Sequence, residues 1–536
     1  MLRYVFSLLV ILACANAEIT LEDISSKPSC RAKDFMIWQY LQQDITPSQA
    51  DKAYKQLSGT SDKLLFIYAK KTDDLKVKKT VSCKKRADLL NIGDERCLKL
   101  AISPYKTLVL TNKERKKLYK KVDKKTKKLL KIQSEPYSQK AYEKYDSNTI
   151  LTLFVNTPTS FRRKNLNIYL DEAFVNKLSS SWKISQFVKI VVNDDKLKKL
   201  QLSLLNLNGT NLNSQTNFFL ALNHLRHLDK LQAMKFLNIS LEKSKHKIDV
   251  DKNFFWMYLV SGEKKYLKKL LLSMDINIYT IYAHEVLNKD FDNYFSYMET
   301  TNKKANKNIQ NPFDWDDILK KIKTTPDDKL FELASSYKQR EMIPVQSFIV
   351  QKAYDFRMHG YIMPYNEYLE NLTVDDKALV YAIMRQESHL IPSALSRSYA
   401  LGLMQLMPFL VDAISKQCNE NICYSDMFKP KKNIDYALKH LKWMKKSLYH
   451  PLFIAYAYNG GMGFLRRFLE RGKFSHAKYE PFLSMELMSN SESREYGKKV
   501  LANYVMYKKI MGEKISIVYL FDILKDPKMT DRFRGR

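Results

Sequence analysis

Thirteen glycines are all that the 536 residues contain, about a third of the usual ~7% share. Turn-rich β folds and phosphate-cradling loops need glycine wherever the backbone must take a positive φ, so both fit this chain poorly. Long helices joined by short polar connections fit it well. Hydrophobic residues make up 45% and aromatics 12%, ample for buried cores in a chain long enough for two to four domains.

From about residue 32 to 345 the apolar residues recur at helical spacing. "KERKKLYKKVDKKTKKLLKIQ" puts Leu118, Val122, Leu129 and Leu130 on one stripe and lysines around the rest. "NFFLALNHLRHLDKLQAMKFLNISLEK" and "NFFWMYLVSGEKKYLKKLLLSMD" read as helix pairs about 35 residues apart, a period at which each pair buries its face on its neighbours. The fold expected is mainly α: a helical superhelix (solenoid) over 18–345, with an irregular bundle as the alternative. "ILTLFVNTP" and "QFVKIVVND" are short enough to be either strands or buried helix. Gly360 and Pro364 mark 346–370 as a linker. Beyond it small residues become commoner, and a second helical domain is expected over 371–515, with a tail at 516–536.

The net charge of +33 attracts polyanions, whether nucleic acid, anionic lipid or an acidic wall polymer. The N-terminus narrows the choice. "MLRYVFSLLVILACANAE" has a basic start at Arg3, a short apolar run, and Ala15-Asn16-Ala17 as a small-x-small cleavage site. That is the pattern of a signal peptide over 1–17, too short to span a bilayer; lipidation at Cys14 is the weaker alternative. An exported chain does not meet the genome, so nucleic acid drops out as a partner. Export permits disulfides: Cys83 with Cys97 and Cys418 with Cys423 are plausible pairs, leaving Cys30. No zinc-like spacing is present, and no metal is expected.

One carboxylate stands out. Thr373 and Asp376 form a T-x-x-D helix start, after which Leu379, Ala382, Ile383 and Glu387 fall on one apolar stripe. Pro392 disfavours helix at the residue before it. Glu387 is therefore presented at a helix C-terminus from an apolar floor. Desolvation and the negative helix end both oppose its ionised form, as an acid that protonates a leaving oxygen requires. The structural alternative is an ion pair with Arg385 or Arg397.

Four motifs then follow in order. Glu387-Ser388, "GLMQLMP" (402–408), "AYAYNGG" (455–461) and "SESREYGKKVLANYVMY" (491–507) resemble, in that sequence, the four motifs of the soluble lytic transglycosylases of bacterial peptidoglycan. Gln405 follows Glu387 by eighteen positions, as the first two motifs require. The match covers about a quarter of the chain. It departs in three places: the third motif usually reads Asn-Ala-Gly where this chain has Asn459-Gly460-Gly461, Ser493 stands where threonine is usual, and Gly497 stands in place of valine.

The resemblance implies a lysozyme-like α-helical catalytic domain preceded by a superhelix, with Glu387 as catalytic acid and base and no cofactor. It implies substrate-binding roles for Ser396, Met404, Gln405, Met407, Tyr458, Asn459 and Glu492, with a Glu492–Arg494 ion pair as the structural alternative for Glu492. No second acid lies between Ser388 and Pro408. A 2-acetamido group on the substrate could supply the nucleophile itself, and the resemblance implies a 1,6-anhydromuramyl product. The expected setting is periplasmic, peripheral to the membrane and monomeric. Peptidoglycan strands are the partner, together with cell-wall synthesis proteins on the helical region. A wall-binding scaffold and a lysozyme-like hydrolase are the competing readings.

Overall fold

A computed structural model of the chain describes residues 19–534. The expected signal segment, with Cys14, lies outside them. Helix dominates, and the regular sheet among the described residues is one parallel pair of two-residue strands, Tyr294–Phe295 with His359–Gly360, in which Tyr294 stands opposite His359. Both ambiguous stretches are helices, Ser147–Val155 and Ile184–Asn193. Asp146 starts the first by accepting from Thr149 N at 3.0 Å. Ile184, Phe187, Val188, Val191 and Val192 give the second a continuous buried face. Among the described residues no helix is long and apolar enough to cross a membrane.

The chain packs into two compact units that interleave in sequence. One takes the N-terminal segment to Asp74, then Asn293–Ser447 and Met506–Glu513; the other takes Leu75–Asp292, Leu448–Val505 and the chain from Lys514 onward. In the second unit, successive helices stack in chain order: Ser214–Arg226, Lys230–Glu242, Lys247–Ser261, Lys264–Leu270 and Ile278–Val286. Polar bonds at a fixed interval tie the earlier pairs together. Ser180 Oγ donates to Ser147 Oγ (3.0 Å), Leu170 N to Ser203 Oγ (2.8 Å), Asn208 N to Asn176 Oδ1 (2.8 Å) and Lys243 Nζ to Leu212 O (2.9 Å), each across 31–33 residues. This ladder is the solenoid period made physical, since each repeat satisfies its polar groups on the next.

Cys83 and Cys97 are bridged, joining two helices within a small core that includes Leu89, Leu98, Leu118 and Leu130. The second expected bridge is absent. Cys418 ends the helix Pro408–Cys418 and Cys423 leads into the next turn, and the Cys418 sulfur accepts from Lys439 Nζ at 3.0 Å. Glu420 holds their loop in place of a disulfide. Bonds from Lys432 (2.6 Å) and Tyr436 (2.9 Å) pull its carboxyl down to about 2.

The stretches expected as tail and linker both carry regular structure. The stretch 516–536 is no loose tail: it carries the helices Ile517–Ile523 and Pro527–Thr530, and Leu520 O accepts from the buried His450 ring at 2.9 Å. The stretch 346–370 is no free linker either. It contains most of the helix Ile343–Ala353, and its later part is strapped onto the helix Val374–Ser388 and its neighbours. Arg385 Nε donates to Gly360 O (2.9 Å), Tyr507 OH to Ile362 O (3.2 Å) and Tyr381 OH to Pro364 O (2.9 Å). Tyr361 and Ile362 are buried, so this segment fixes the helix that carries Glu387.

Candidate active site

The helix Val374–Ser388 begins as its sequence dictates. Thr373 Oγ1 accepts from Asp376 N at 3.2 Å, but Asp376 turns its carboxylate to Lys445 and leaves the reciprocal half of the capping pair unmade. Leu379, Ala382 and Ile383 are buried, and Glu387, one turn further on, is half-buried. Arg385, the alternative partner, points elsewhere: its guanidinium lies 4.2 Å from the centre of the Tyr361 ring, besides its bond to Gly360 O. Residues two apart on a helix do not face each other.

The helix stops earlier than Pro392 demands. His389 and Leu390 take φ of 52° and 66°, a left-handed geometry that costs roughly 1–2 kcal/mol per non-glycine residue. Packing holds the turn, because Ile391 is buried in the core formed by Ile318, Leu330, Val345 and Ile349. Tyr399 (φ 67°) and Gln405 (φ 47°) repeat the strain within the same stretch. Left-handed non-glycine residues gather where surrounding structure over-determines them, typically at functional sites.

Gly402 (φ 73°) permits the turn of "GLMQLMP". A Cβ there would overlap Met427 O and the Asn433 amide. Asn433, fully buried, latches the loop: its Nδ2 donates to Leu401 O (3.0 Å) and Met427 O (2.8 Å), and its Oδ1 accepts from Met404 N (2.9 Å). Gln405 braces the same turn, with Nε2 donating to Ala394 O (3.0 Å) and Gly402 O (2.8 Å). Its half-buried side chain therefore offers Oε1, an acceptor, to a ligand. Ser396 Oγ accepts from Ala400 N at 2.9 Å, which leaves its O–H proton available for donation.

Glu387, Ser396 and Gln405 line one groove of about 860 Å³ in the first unit. Its other walls were not legible in the sequence. Arg31 comes from the N-terminal helix Arg31–Tyr40 and donates from a terminal guanidinium nitrogen to Leu395 O at 2.8 Å. Trp315, Phe348 and Tyr399 add aromatic surface. The Tyr399 ring packs on Phe35 and Trp38 (centroids 5.3 and 5.5 Å), and burial, with the Asp34 charge, pushes its phenol up to about 12.

Two other carboxylates line the groove and both are engaged. Asp34 accepts from Ser58 N at 2.8 Å and from Ser58 Oγ, and Asp316 pairs with Lys320 at 2.7 Å. Met404 was expected as a glycan wall but is 0% exposed; the loop turns it into the core, so it is a packing residue. Met407 is half-buried at the start of the helix Pro408–Cys418. Among the described residues no His, Cys, Asp and Glu side chains cluster as a metal site.

Tyr458, Asn459 and Glu492 belong to the second unit, where the third and fourth motifs meet. Asn459 Oδ1 accepts from Ser493 Oγ at 2.7 Å and its Nδ2 donates to Glu492 Oε1 at 3.4 Å. Arg494 pairs with Glu495 (2.7 Å), not Glu492. The departures from the motif pattern have steric partners. A Cβ on Gly460 would stand 2.6 Å from Ser493 Oγ and 2.9 Å from Phe464 Cδ1, and one on Gly497 would overlap the Tyr456 ring.

A half-buried acid at a strained helix end thus lines a groove together with Ser396 and with Gln405 of the Gly-Leu-Met-Gln turn. Residues 365–480 match the family described as "Transglycosylase SLT domain". Over this part of its length the chain is similar to soluble lytic transglycosylases. It is 33% identical over 208 residues to a candidate soluble lytic murein transglycosylase of Haemophilus influenzae, covering 37% of this chain and 34% of that one. It is 26% identical over 211 residues to the soluble lytic murein transglycosylase of Escherichia coli K12, covering 38% and 32%. The chain thus spans about a third of the length of the relatives it matches. Among solved structures it resembles the lytic transglycosylase Slt of Pseudomonas aeruginosa (15% identity, TM-score 0.49, 95% of this chain and 79% of that). It also resembles the 70 kDa soluble lytic transglycosylase of Escherichia coli (16%, 0.40, 96% and 85%).

Proposed function

We propose that this chain is a periplasmic lytic transglycosylase. It cleaves the β-1,4 bond between N-acetylmuramic acid and N-acetylglucosamine in peptidoglycan and leaves 1,6-anhydromuramyl ends during wall turnover. The observation that carries this reading is Glu387, half-buried at a strained helix end and lining one groove with Ser396 and Gln405.

A single acid in this role suits a reaction in which the substrate provides the nucleophile. Glu387 gives its proton to the glycosidic oxygen as the C1–O bond breaks. The 2-acetamido oxygen closes on C1 as an oxazolinium ion. The Glu387 carboxylate then takes the proton of the muramyl O6 hydroxyl while O6 attacks C1, so acid and base are regenerated and no water is consumed. Ser396 O–H and Gln405 Oε1 would hold sugar polar groups, and Met407 would face a sugar ring. For Tyr458, Asn459 and Glu492, which lie in the second unit, we propose substrate-binding roles. We assign catalysis to 371–515 and take the protein as a monomer, peripheral to the membrane, with cell-wall synthesis proteins as partners of its helical region.

The test is digestion of purified sacculi with mass spectrometry of the products. Anhydro ends are expected; reducing ends, one water heavier, would make the enzyme a hydrolase. Glu387→Gln should slow release by on the order of 10³, the scale of a lost general acid. Anhydromuropeptides released at the parent rate would refute the mechanism.

A further inference from the structure

The second unit has a groove of its own, about 760 Å³, with no part in the chemistry above. Two features single it out. Trp182 lines it and is 75% exposed, an unusual place for the residue type with most apolar surface to hide. The turn presenting it is fixed: Ser181 Oγ donates to Asn148 Oδ1 at 2.7 Å and accepts from Lys183 N at 3.2 Å. Lys183 Nζ sits 3.9 Å from the indole centre and covers one face; at that exposure the other face is open.

The second feature is charge. Lys99, Lys124, Lys125 and Lys183 line the groove against a single acid, Asp123, whose carboxylate is committed to starting a helix by accepting from Thr126 N at 2.7 Å. Lys128, also in the lining, is already paired with Asp146 at 3.4 Å. An open indole face beside several cations suits a ligand with flat, C–H-rich rings and carboxylates along its length. The indole stacks on the ring face, and the lysines take the carboxylates in salt-sensitive fashion.

We infer that this Trp182–lysine groove is an accessory binding site for a carboxylate-bearing glycan strand, holding the substrate at a place separate from Glu387. The inference rests on the proposed function for the identity of the glycan, not for the site.

The test uses the full chain carrying Glu387→Gln, so that binding is read without turnover. Co-sedimentation is measured with purified sacculi and with sacculi whose stem carboxylates have been amidated. Adding W182A, K124E and K125E, all on exposed positions, should weaken binding to native sacculi at least tenfold at low salt. Amidation should weaken the parent to a similar degree and the variant hardly further. Unchanged binding by the variant, with circular dichroism confirming its fold, would overturn the site. Tighter binding of single-stranded DNA or anionic lipid vesicles than of sacculi, lost through the same substitutions, would overturn its assignment to glycan. Cleavage is read separately with Glu387 intact, on short soluble glycan fragments. There the groove variant should match the parent, so failure of the chemistry and failure of the groove give different results.

Discussion

Gly497→Ala sets two effects of opposite sign against each other at one atom. Gly497 lies inside the helix Ser491–Ile510, where alanine in place of glycine ordinarily stabilises by roughly 0.5–1 kcal/mol. Here the added Cβ would overlap the Tyr456 ring and lie 3.2 Å from Leu452 Cδ1. Carbon contacts prefer about 3.5–4.0 Å, so the ring must move by more than about 1 Å. Tyr456 is fully buried, in an interior packed as densely as an organic crystal. Such overpacking costs about 1–3 kcal/mol, and a clash with an aromatic ring belongs at the upper end. The clash should win, for a net loss of about 2 kcal/mol, and valine should lose more. Urea denaturation followed by circular dichroism reads this directly. Gly463→Ala is the control: a Cβ there meets only the flexible end of Arg467 at 3.3 Å, so it should be neutral or slightly stabilising. Tyr456→Leu should rescue Gly497→Ala, with a coupling of at least about 1 kcal/mol across the double-mutant cycle. A Gly497→Ala protein as stable as the Gly463→Ala control, or strictly additive effects in the cycle, would refute the reasoning.

Asp251 gives a pH-dependent counterpart. Burial pushes its carboxyl up to about 7 despite bonds from Asn277 and Ser273, each at 2.8 Å. The folded-state value lies above the unfolded one, so the cost is absent below about pH 4, grows from there, and is complete above about pH 7, at ~4 kcal/mol. Asp251→Asn keeps the acceptor and should stabilise at pH 8 while changing little at pH 4; paired denaturation curves check it. Removing the Cys83–Cys97 bridge, which closes a 14-residue separation, should cost about 3 kcal/mol. C83A/C97A should match the wild-type protein in reductant and should itself be insensitive to reductant.

The helical architecture was legible because its signal is local. Apolar spacing within a dozen residues determines which face is buried, and the near-35-residue recurrence of helix pairs matches the polar ladder across 31–33 residues. The two short apolar runs were ambiguous because four to nine apolar residues satisfy either period; packing against neighbouring helices decided for helix. Glu387 could be singled out for the same local reason, as a carboxylate following an apolar helical run, and the structure has it half-buried at the helix end. What surrounds it was not legible. Arg31 and Tyr399 reach the groove from positions whose own neighbourhoods specify only a helix and a turn. Asn433 reads as one more polar residue near the start of a lysine-rich helix, and nothing near it names the loop it latches. The missing Cys418–Cys423 bridge is an error of the same kind: spacing allowed it, but both residues serve helix ends, and Glu420, tied to Lys432 and Tyr436, fixes the loop between them.

Taken together, the motif departures carry a physical meaning that no single one shows. In isolation, Gly460, Ser493 and Gly497 look like three losses of side-chain bulk around a binding region. In the structure, Gly460 and Ser493 are a matched pair: the missing Cβ leaves room for Ser493 Oγ, and that hydroxyl donates to Asn459 at 2.7 Å. Restoring alanine at 460 would press on the group that orients Asn459. Gly497 is matched to Tyr456, two residues before Tyr458 on the helix Pro451–Gly460. Each small residue thus borders the motif helix Pro451–Gly460 and keeps a large or polar partner in place. The volume is redistributed across the third and fourth motifs, and the side chains that would meet substrate, Tyr458 and Asn459, remain supported from behind.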